Sequence, residues 1–391
     1  MTKSTRITTV MVSALVLLLG ASHRAFAFTG GNDPVLRRLT TISTVTSTVP
    51  ANGDINPYGI AIVQKSVGSL TEGHILISNF NNSTNAQGTG TTIVDVAPDG
   101  TLGLFAQIDA GSLPGPCPGG LGLTTALVVL RSGWVIVGSL PTSDGTSATA
   151  QAGCLIVLNS SGNPVETISG SLINGPWDMA AAEDSFEAKL FVTNVLNGTV
   201  AADGNIVNQG TVVRVTLKLS SKNIPAVTAM TVIASGFSER TDPNALVIGP
   251  TGLALSAPCF QNDGDDCVGI PEIDLGGVLY VADTLNNRIA VINRPLDRMS
   301  SAGTGATLFQ GGTLNFPLGL IVVPNGDVVT VNGNDGYATE ISPRGVQVAS
   351  ELLDGTGGPP PGVGTLFGLV FDPHRGLFFV DDGSNTLNLL N

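Results

Sequence analysis

Chemistry in this chain would have to come from scattered carboxylates, amides and thiols, because the usual marks of a catalytic centre are sparse and poorly spaced. Histidine occurs only three times. His74 opens a β-rich run and His374 sits in an Asp-Pro-His-Arg-Gly turn, a placement that does not make a histidine metal site. There is no His-Glu-x-x-His pair, no Gly-x-Ser-x-Gly elbow and no Gly-x-x-x-x-Gly-Lys-Ser phosphate loop. Gln87-Gly88-Thr89-Gly90 reads as loop. The densest set of hard oxygen ligands is Asp263, Asp265 and Asp266, between Cys259 and Cys267. That loop lacks the twelve-residue spacing and closing Glu of the helix-loop-helix calcium motif, so it reads as a solvated acidic turn and leaves calcium binding open. No histidine stands beside any of the four cysteines, which argues against a catalytic thiol. No metal or cofactor is expected.

The elements that would have to position any such residues begin after a leader. Lys3 and Arg6 precede an apolar stretch from about Val10 to Leu19, and Ala25-Phe26-Ala27 supplies a small-x-small cleavage site, so residues 1–27 read as a signal peptide. The apolar core is too short to span a bilayer, and no later segment is long and apolar enough to do so. A secreted or periplasmic protein is expected. Cleavage removes Lys3, Arg6 and Arg24 and no acid, moving the formal charge from −13 to −16. Such acidity repels polyanions and excludes nucleic acid as a natural partner.

Residues 28–391 read as one domain of repeats. Six times a short apolar run opening near a Gly is followed by a second β-rich run ending in a small polar residue: NPYGIAI with HILISN, GLGLTTALVV with WVIVGS, GPWDMAA with KLFVTN, GPTGLAL with VLYVAD, FPLGLIVV with DVVTVN, and LFGLVF with LFFVDD. Most units add a third strand running into a Gly, Asn, Asp or Pro turn, and then a fourth. Low charge, few aromatics and abundant Gly suit tightly turned strands rather than amphipathic helices. The last unit stops at its third strand, while a spare strand, residues 38–47, precedes the first. Adding it to the last sheet seals the ring and removes an exposed edge. The expected fold is therefore all-β: a six-bladed β-propeller closed by an N-terminal strand.

The pattern resembles NHL-type and related six-bladed propellers, most closely where GPTGLAL and GVLYVADTLNNRIAVI stand in the fourth unit. The resemblance covers nearly all of the mature chain and implies a fold rather than an activity, since such propellers host hydrolases, lyases and pure binding scaffolds. The architecture also resembles gluconolactonase-like propellers, in which Glu, Asn and Asp ligands just before the first-strand Gly hold a divalent cation over the channel. Here those positions read Tyr58, Leu121, Trp177, Thr251, Leu318 and Phe367, which supply neither carboxylates nor amides, so that metal site is not carried over. Asp178 replaces the third marker Gly. This rim would either plug the axis or receive a greasy or ring-shaped ligand. A second ring, Asn79, Ser139, Asn194, Asp283, Asn332 and Asp381, ends the second strands. These residues either bond back to their turns or form a polar cluster, with Asp335 and Asp382 adding negative charge. Tyr58, Trp177, Asp178, Phe367, Asn79, Asn194, Asp283, Asn332 and Asp381 are thus the candidate ligand-binding residues at the channel mouth.

In such a blade the second-to-third loops and the blade-to-blade connections share one face. The long polar loops of the first three blades mark it as the candidate binding surface. On that assignment Cys117 lies near Cys154, and Cys259 and Cys267 share one insertion on the other face, giving two expected disulfides. The leading functional expectation is an exported non-catalytic monomer that binds a protein, peptide or small molecule through the long-loop face. The alternative is a divergent propeller hydrolase or lactonase.

Overall fold

A computed structural model describes residues 33–220, 223–256 and 277–391. The leader, the Cys259–Cys267 pair and the Asp263–Asp266 turn lie outside the described residues. Six antiparallel sheets are arranged as a β-propeller. Blade 1 comprises Ile55–Ile62, Ile75–Asn81, Thr92–Val96 and Leu102–Gln107. Blade 2 comprises Leu123–Val129, Val135–Ser139, Cys154–Leu158 and Pro164–Ile168. Blade 4 comprises Pro250–Ser256, Val278–Asp283, Arg288–Asn293 and Ala306–Gln310, and blade 5 comprises Pro317–Val322, Val328–Asn332, Tyr337–Ile341 and Gln347–Leu352. Each second strand is buried along almost its whole length, as in Ile75–Asn81 and Gly376–Asp381, because it is covered by a neighbouring blade on both faces.

Blade 6 is built from Leu366–Asp372, Gly376–Asp381 and Thr386–Leu390, and Ile42–Ser47 pairs antiparallel with the last of these. The N-terminal strand thus supplies the outermost strand that the C-terminus leaves unmade. Ahead of it, a short helical turn, Val35–Arg38, buries Val35 and Leu36 and gives their amides to the Glu340 carboxylate at 2.7 and 2.8 Å. The Cys117–Cys154 disulfide is present and fastens the connection between blades 1 and 2 to the third strand of blade 2.

Near the axis, every first strand carries a bulge at the same place. Pro317 faces Asn332 and Leu320 faces Thr330, so one extra residue is inserted, and the same offset recurs at Pro57, Pro176, Pro250 and Leu366. A bulge re-aims side chains, and here it turns the residue after each Pro or Leu toward the channel. The following Gly lets the next blade come close. A Cβ at Gly252, Gly319 or Gly368 would lie under 3.0 Å from the carbonyl oxygen of Leu318, Phe367 or Tyr58 respectively.

Blade 2 departs from the expected register. Leu123 faces Ser139 and Leu127 faces Val137, which inserts two residues rather than one. The bulge is therefore Thr124-Thr125 plus Ala126, and Leu121 and Gly122 lie before the strand. Blade 3 also differs. After Pro176–Glu183, Glu187–Asn194 and Val207–Lys218, its fourth strand runs from Ala226 to Asp242 and folds back on a fifth, Leu246–Ile248. The pairing partners Arg240↔Ile248, Thr241↔Val247 and Asp242↔Leu246 form a two-stranded finger beyond the end of the Val207–Lys218 strand.

Candidate functional site at the channel mouth

The bulges and the long-loop face together enclose a cavity of about 390 Å³ at the mouth of the channel. Its floor is the ring of bulge residues: Tyr58, Thr124, Thr125, Trp177, Thr251, Leu318 and Phe367. Tyr58 stacks between Phe367 and Phe80, with ring centroids 3.8 and 4.6 Å away and planes within 18° and 16°. All three rings are buried, with Tyr58 and Phe367 each 7 % exposed. The bulges of the neighbouring blades 1 and 6 bring Tyr58 and Phe367 to the same axial level, and Phe80, near the end of the second strand of blade 1, completes the stack, an arrangement in which offset stacking is favourable.

The upper walls are polar and amide-rich. Asn56, Asn81, Asn85, Gln87, Asn244 and Asn334 border the cavity, together with Arg240 and Asp242 from the blade 3 finger and Asp382 from blade 6. Arg240 and Asp242 pair with each other at 2.7 Å, so they bring no net charge. Asn81 Oδ1, Gln87 Oε1 and Asp382 Oδ1 are buried acceptors without a partner. Burial, and then the neighbouring Asp381 carboxylate, push Asp382 up to about 7. Burial, helped by the proximity of Asp382, holds the Tyr58 phenol well above its ordinary range despite a hydrogen bond with Asn56.

The sequence candidates divide among three places. Tyr58, Trp177 and Phe367 line the cavity. Asp178 borders a second cavity of about 140 Å³, lined by residues further along the first strands, and Thr125 borders both cavities. Asp178 accepts from the backbone amides of Met179 and Leu253 at 2.8 Å, bridging blade 3 to blade 4 where blades 1, 4, 5 and 6 bring a Gly into close contact. Burial pushes it up to about 7 in spite of these bonds.

Asn79, Asn194, Asp283, Asn332 and Asp381 do not border the mouth cavity. They occupy one register position, each facing the first residue of its blade's bulge, and bond to the connection entering their blade or to its adjoining turn and strand. Asn79 donates to Thr48 O, Asn194 accepts from the Asn174 amide, and Asn332 accepts from the Asn315 amide. Asp283 takes Arg288 Nε at 2.9 Å, and Asp381 accepts from the Ser384 amide. Short polar groups that tie loops to strand ends are a structural device. This ring is accordingly removed from the candidate ligand contacts, and Leu121 gives way to Thr124 and Thr125.

Sequence reasoning missed the finger and did not select Asp382 as a candidate. The finger's signal was present as Thr-Asp-Pro-Asn, a turn sequence directly before the apolar run Ala-Leu-Val-Ile. Asp242 caps that turn by accepting from the Asn244 and Ala245 amides.

The donor set does not make a divalent cation site. Among the described residues no cluster of three His, Cys, Asp or Glu side chains exists, the bulge ring supplies rings, aliphatic groups and hydroxyls, and Asp382 is the lone unpaired carboxyl at the mouth. Hard cations require several oxygen ligands, carboxylates foremost.

No protein-family model matches this sequence, and no curated protein matches it. The NHL naming is therefore not supported, and the likeness stands at the level of fold. Solved structures do match. A gluconolactonase from Xanthomonas campestris superposes with a TM-score of 0.52 at 14% identity, covering 89% of this chain and 88% of that one. The chain shares that propeller fold. A luciferin-regenerating enzyme and the calcium-binding protein regucalcin from Agrobacterium tumefaciens each give 0.51 at 11% identity, with 89% of this chain covered and 94% and 93% of theirs respectively.

Proposed function

We propose that this chain is a divergent propeller hydrolase acting on a small neutral lactone or ester at the channel mouth, with Asp382 as its acid-base group. The observation that carries the reading is Asp382 itself. It is a carboxyl held near 7, with an unpartnered oxygen, beside a buried phenol in a ring-floored cavity. A general base works best when its pKa is near the operating pH, and perturbed carboxyls in clefts mark functional sites.

The floor would seat an apolar or ring-shaped body, and the amides around it would meet hydroxyl or carbonyl groups. Above its pKa, Asp382 would take a proton from a water whose oxygen attacks the carbonyl carbon. The Tyr58 hydroxyl, kept protonated by burial, would donate a hydrogen bond to the oxygen that gains charge. Asp382 would then return the proton to the leaving alkoxide as the C–O bond breaks. The likeness in fold to a lactonase supports the reaction class, and the disulfide supports work outside the reducing cytoplasm, as a secreted or periplasmic protein.

The test is turnover of neutral lactones and aryl esters between pH 5 and 9. The rate should climb through about pH 7, and Asp382→Asn should lower it by roughly a hundredfold or more while ligand-induced thermal shifts persist. An unchanged rate in Asp382→Asn would overturn the assignment. A second reading, non-catalytic binding of a small molecule or peptide, is favoured by the isolation of Asp382 from any nucleophile–base pair. Thermal shifts without turnover in the parent protein would establish it.

A further inference from the structure

The cavity has one wall that the other blades do not provide. The finger Arg240–Ile248 leaves blade 3, pairs only with itself, and contributes Arg240, Asp242, Asn244, Leu246, Val247 and Ile248 to the lining. An isolated two-stranded hairpin is marginal in water, so its position depends on what its tip touches. Leu246 and Val247 are each 1 % exposed and pack in the same apolar cluster as Tyr58, Trp177 and Phe367. Among the described residues, two side-chain hydrogen bonds tie the finger to other parts of the chain. Gly204 N donates to Thr241 Oγ1 at 3.0 Å near its base, and Gln87 Nε2, from the long loop of blade 1, donates to Asn244 O at 3.2 Å at its tip. The second bond joins blade 3 to blade 1 at the mouth and lies at the surface.

We propose that the finger is a lid over the mouth, latched by Gln87 to Asn244, and that it confines the site to flat, ring-bearing neutral ligands held between its aliphatic tip and the aromatic floor. This deepens the reading of the mouth as a small-molecule site and rests on it. The composition of the finger fits the role. Its tip offers aliphatic groups to the cavity, the Arg240–Asp242 pair cancels its own charge, and the finger is held down by one exposed hydrogen bond together with the burial of Leu246 and Val247, an apolar contact that an apolar ligand can replace. The sheet below is anchored differently: Phe237 is fully buried, and Glu239, also buried, accepts from the Asn197 amide at 3.0 Å. Motion is thereby confined to the residues beyond Glu239.

The experiment uses the full mature chain and N-phenyl-1-naphthylamine, a neutral two-ring dye that brightens in apolar surroundings, mixed by stopped flow. Gln87→Ala should speed dye association by roughly three- to tenfold, the worth of one partly exposed hydrogen bond. The pair Gln87→Cys with Asn244→Cys, joined by a short bismaleimide, should slow association by more than tenfold, while uncross-linked Gln87→Cys should speed it as Gln87→Ala does and Asn244→Cys, which keeps the backbone acceptor, should stay at the parent rate. Leu318→Trp, which fills the floor, should abolish dye binding. Equal rates in the free, unlatched and cross-linked proteins, with binding still lost in Leu318→Trp, would overturn the lid and leave the cavity standing. Binding that survives Leu318→Trp, or no binding by the parent protein, would overturn the reading of the cavity and the lid with it.

Discussion

Gly319→Ala tests the axial packing on which the site depends. Gly319 lies in the bulge of blade 5, and a Cβ added there would stand under 3.0 Å from the Phe367 carbonyl oxygen and 2.8 Å from Leu369 Cδ2. An ordinary carbon-to-carbonyl-oxygen contact is about 3.3 Å or longer, so the first strands of blades 5 and 6 must part by on the order of 1 Å. The obstacle is backbone, which cannot swing aside as a side chain would. Overpacking of this kind costs about 1–3 kcal/mol, and a rigid obstacle places this case at about 2–3 kcal/mol. With a urea dependence of about 3 kcal/mol per molar for a chain of this size, the unfolding midpoint should fall by roughly 0.7–1 M. Phe367 stacks on Tyr58, so the near-ultraviolet circular dichroism of the aromatic floor should change too. Gly103→Ala is the control: it lies on an outer strand with no atom nearer than 3.5 Å to the added carbon, and its midpoint should stay within the equivalent of about 0.5 kcal/mol. A Gly319→Ala protein with the parent's midpoint and aromatic spectrum would refute the close interblade approach.

Tyr58→Ala should destabilise the protein by about 3–5 kcal/mol by leaving Phe80 and Phe367 without their middle ring, whereas Tyr58→Phe should remain near the parent in urea unfolding. Glu239 is pushed up to about 8 by burial, against its bonds from Asn197. A raised carboxyl contributes stability that is complete below its ordinary range and is lost as pH rises through the folded value. Melting temperature should therefore decline from pH 5 to pH 9, and Glu239→Gln should flatten that slope; a parent protein with no slope would contradict the burial assigned to Glu239. Removing the Cys117–Cys154 bridge with a double Ser substitution frees a span of 37 residues, and loop-closure entropy sets the cost at about 4 kcal/mol, read as a lower urea midpoint under oxidising conditions.

The chain's repeats carried the architecture. Recurrent apolar runs fix the strands, and a sixth unit lacking its outermost strand requires the N-terminal segment to finish it, because an unpaired edge leaves backbone groups unsatisfied. Ile42–Ser47 lies where that argument puts it, and Cys117 meets Cys154 because the face assignment follows from strand order alone. The polar residues ending the second strands share one register in all six blades, as the repeat implied, yet their side chains serve the blades and not the cavity.

Register within a blade and the reach of a loop were decided elsewhere. GLGLTTALVV offers two glycines before the strand, and only packing against blade 1 selects Thr124-Thr125 as the bulge, since the carbonyl of Thr125 is what Gly59 must accommodate. Asp178 looked like a rim acid in one dimension and is a bridge to the Leu253 amide in three. The finger of blade 3 and the near-neutral Asp382 belong to tertiary structure altogether: a turn sequence does not say what its tip covers, and a carboxyl's pKa is set by the solvent its neighbours exclude. Recurrent apolar runs determine which residues form strands, because an inner strand covered on both faces needs apolar residues throughout, while a site is made where distant segments converge, and that distance is not written in their order.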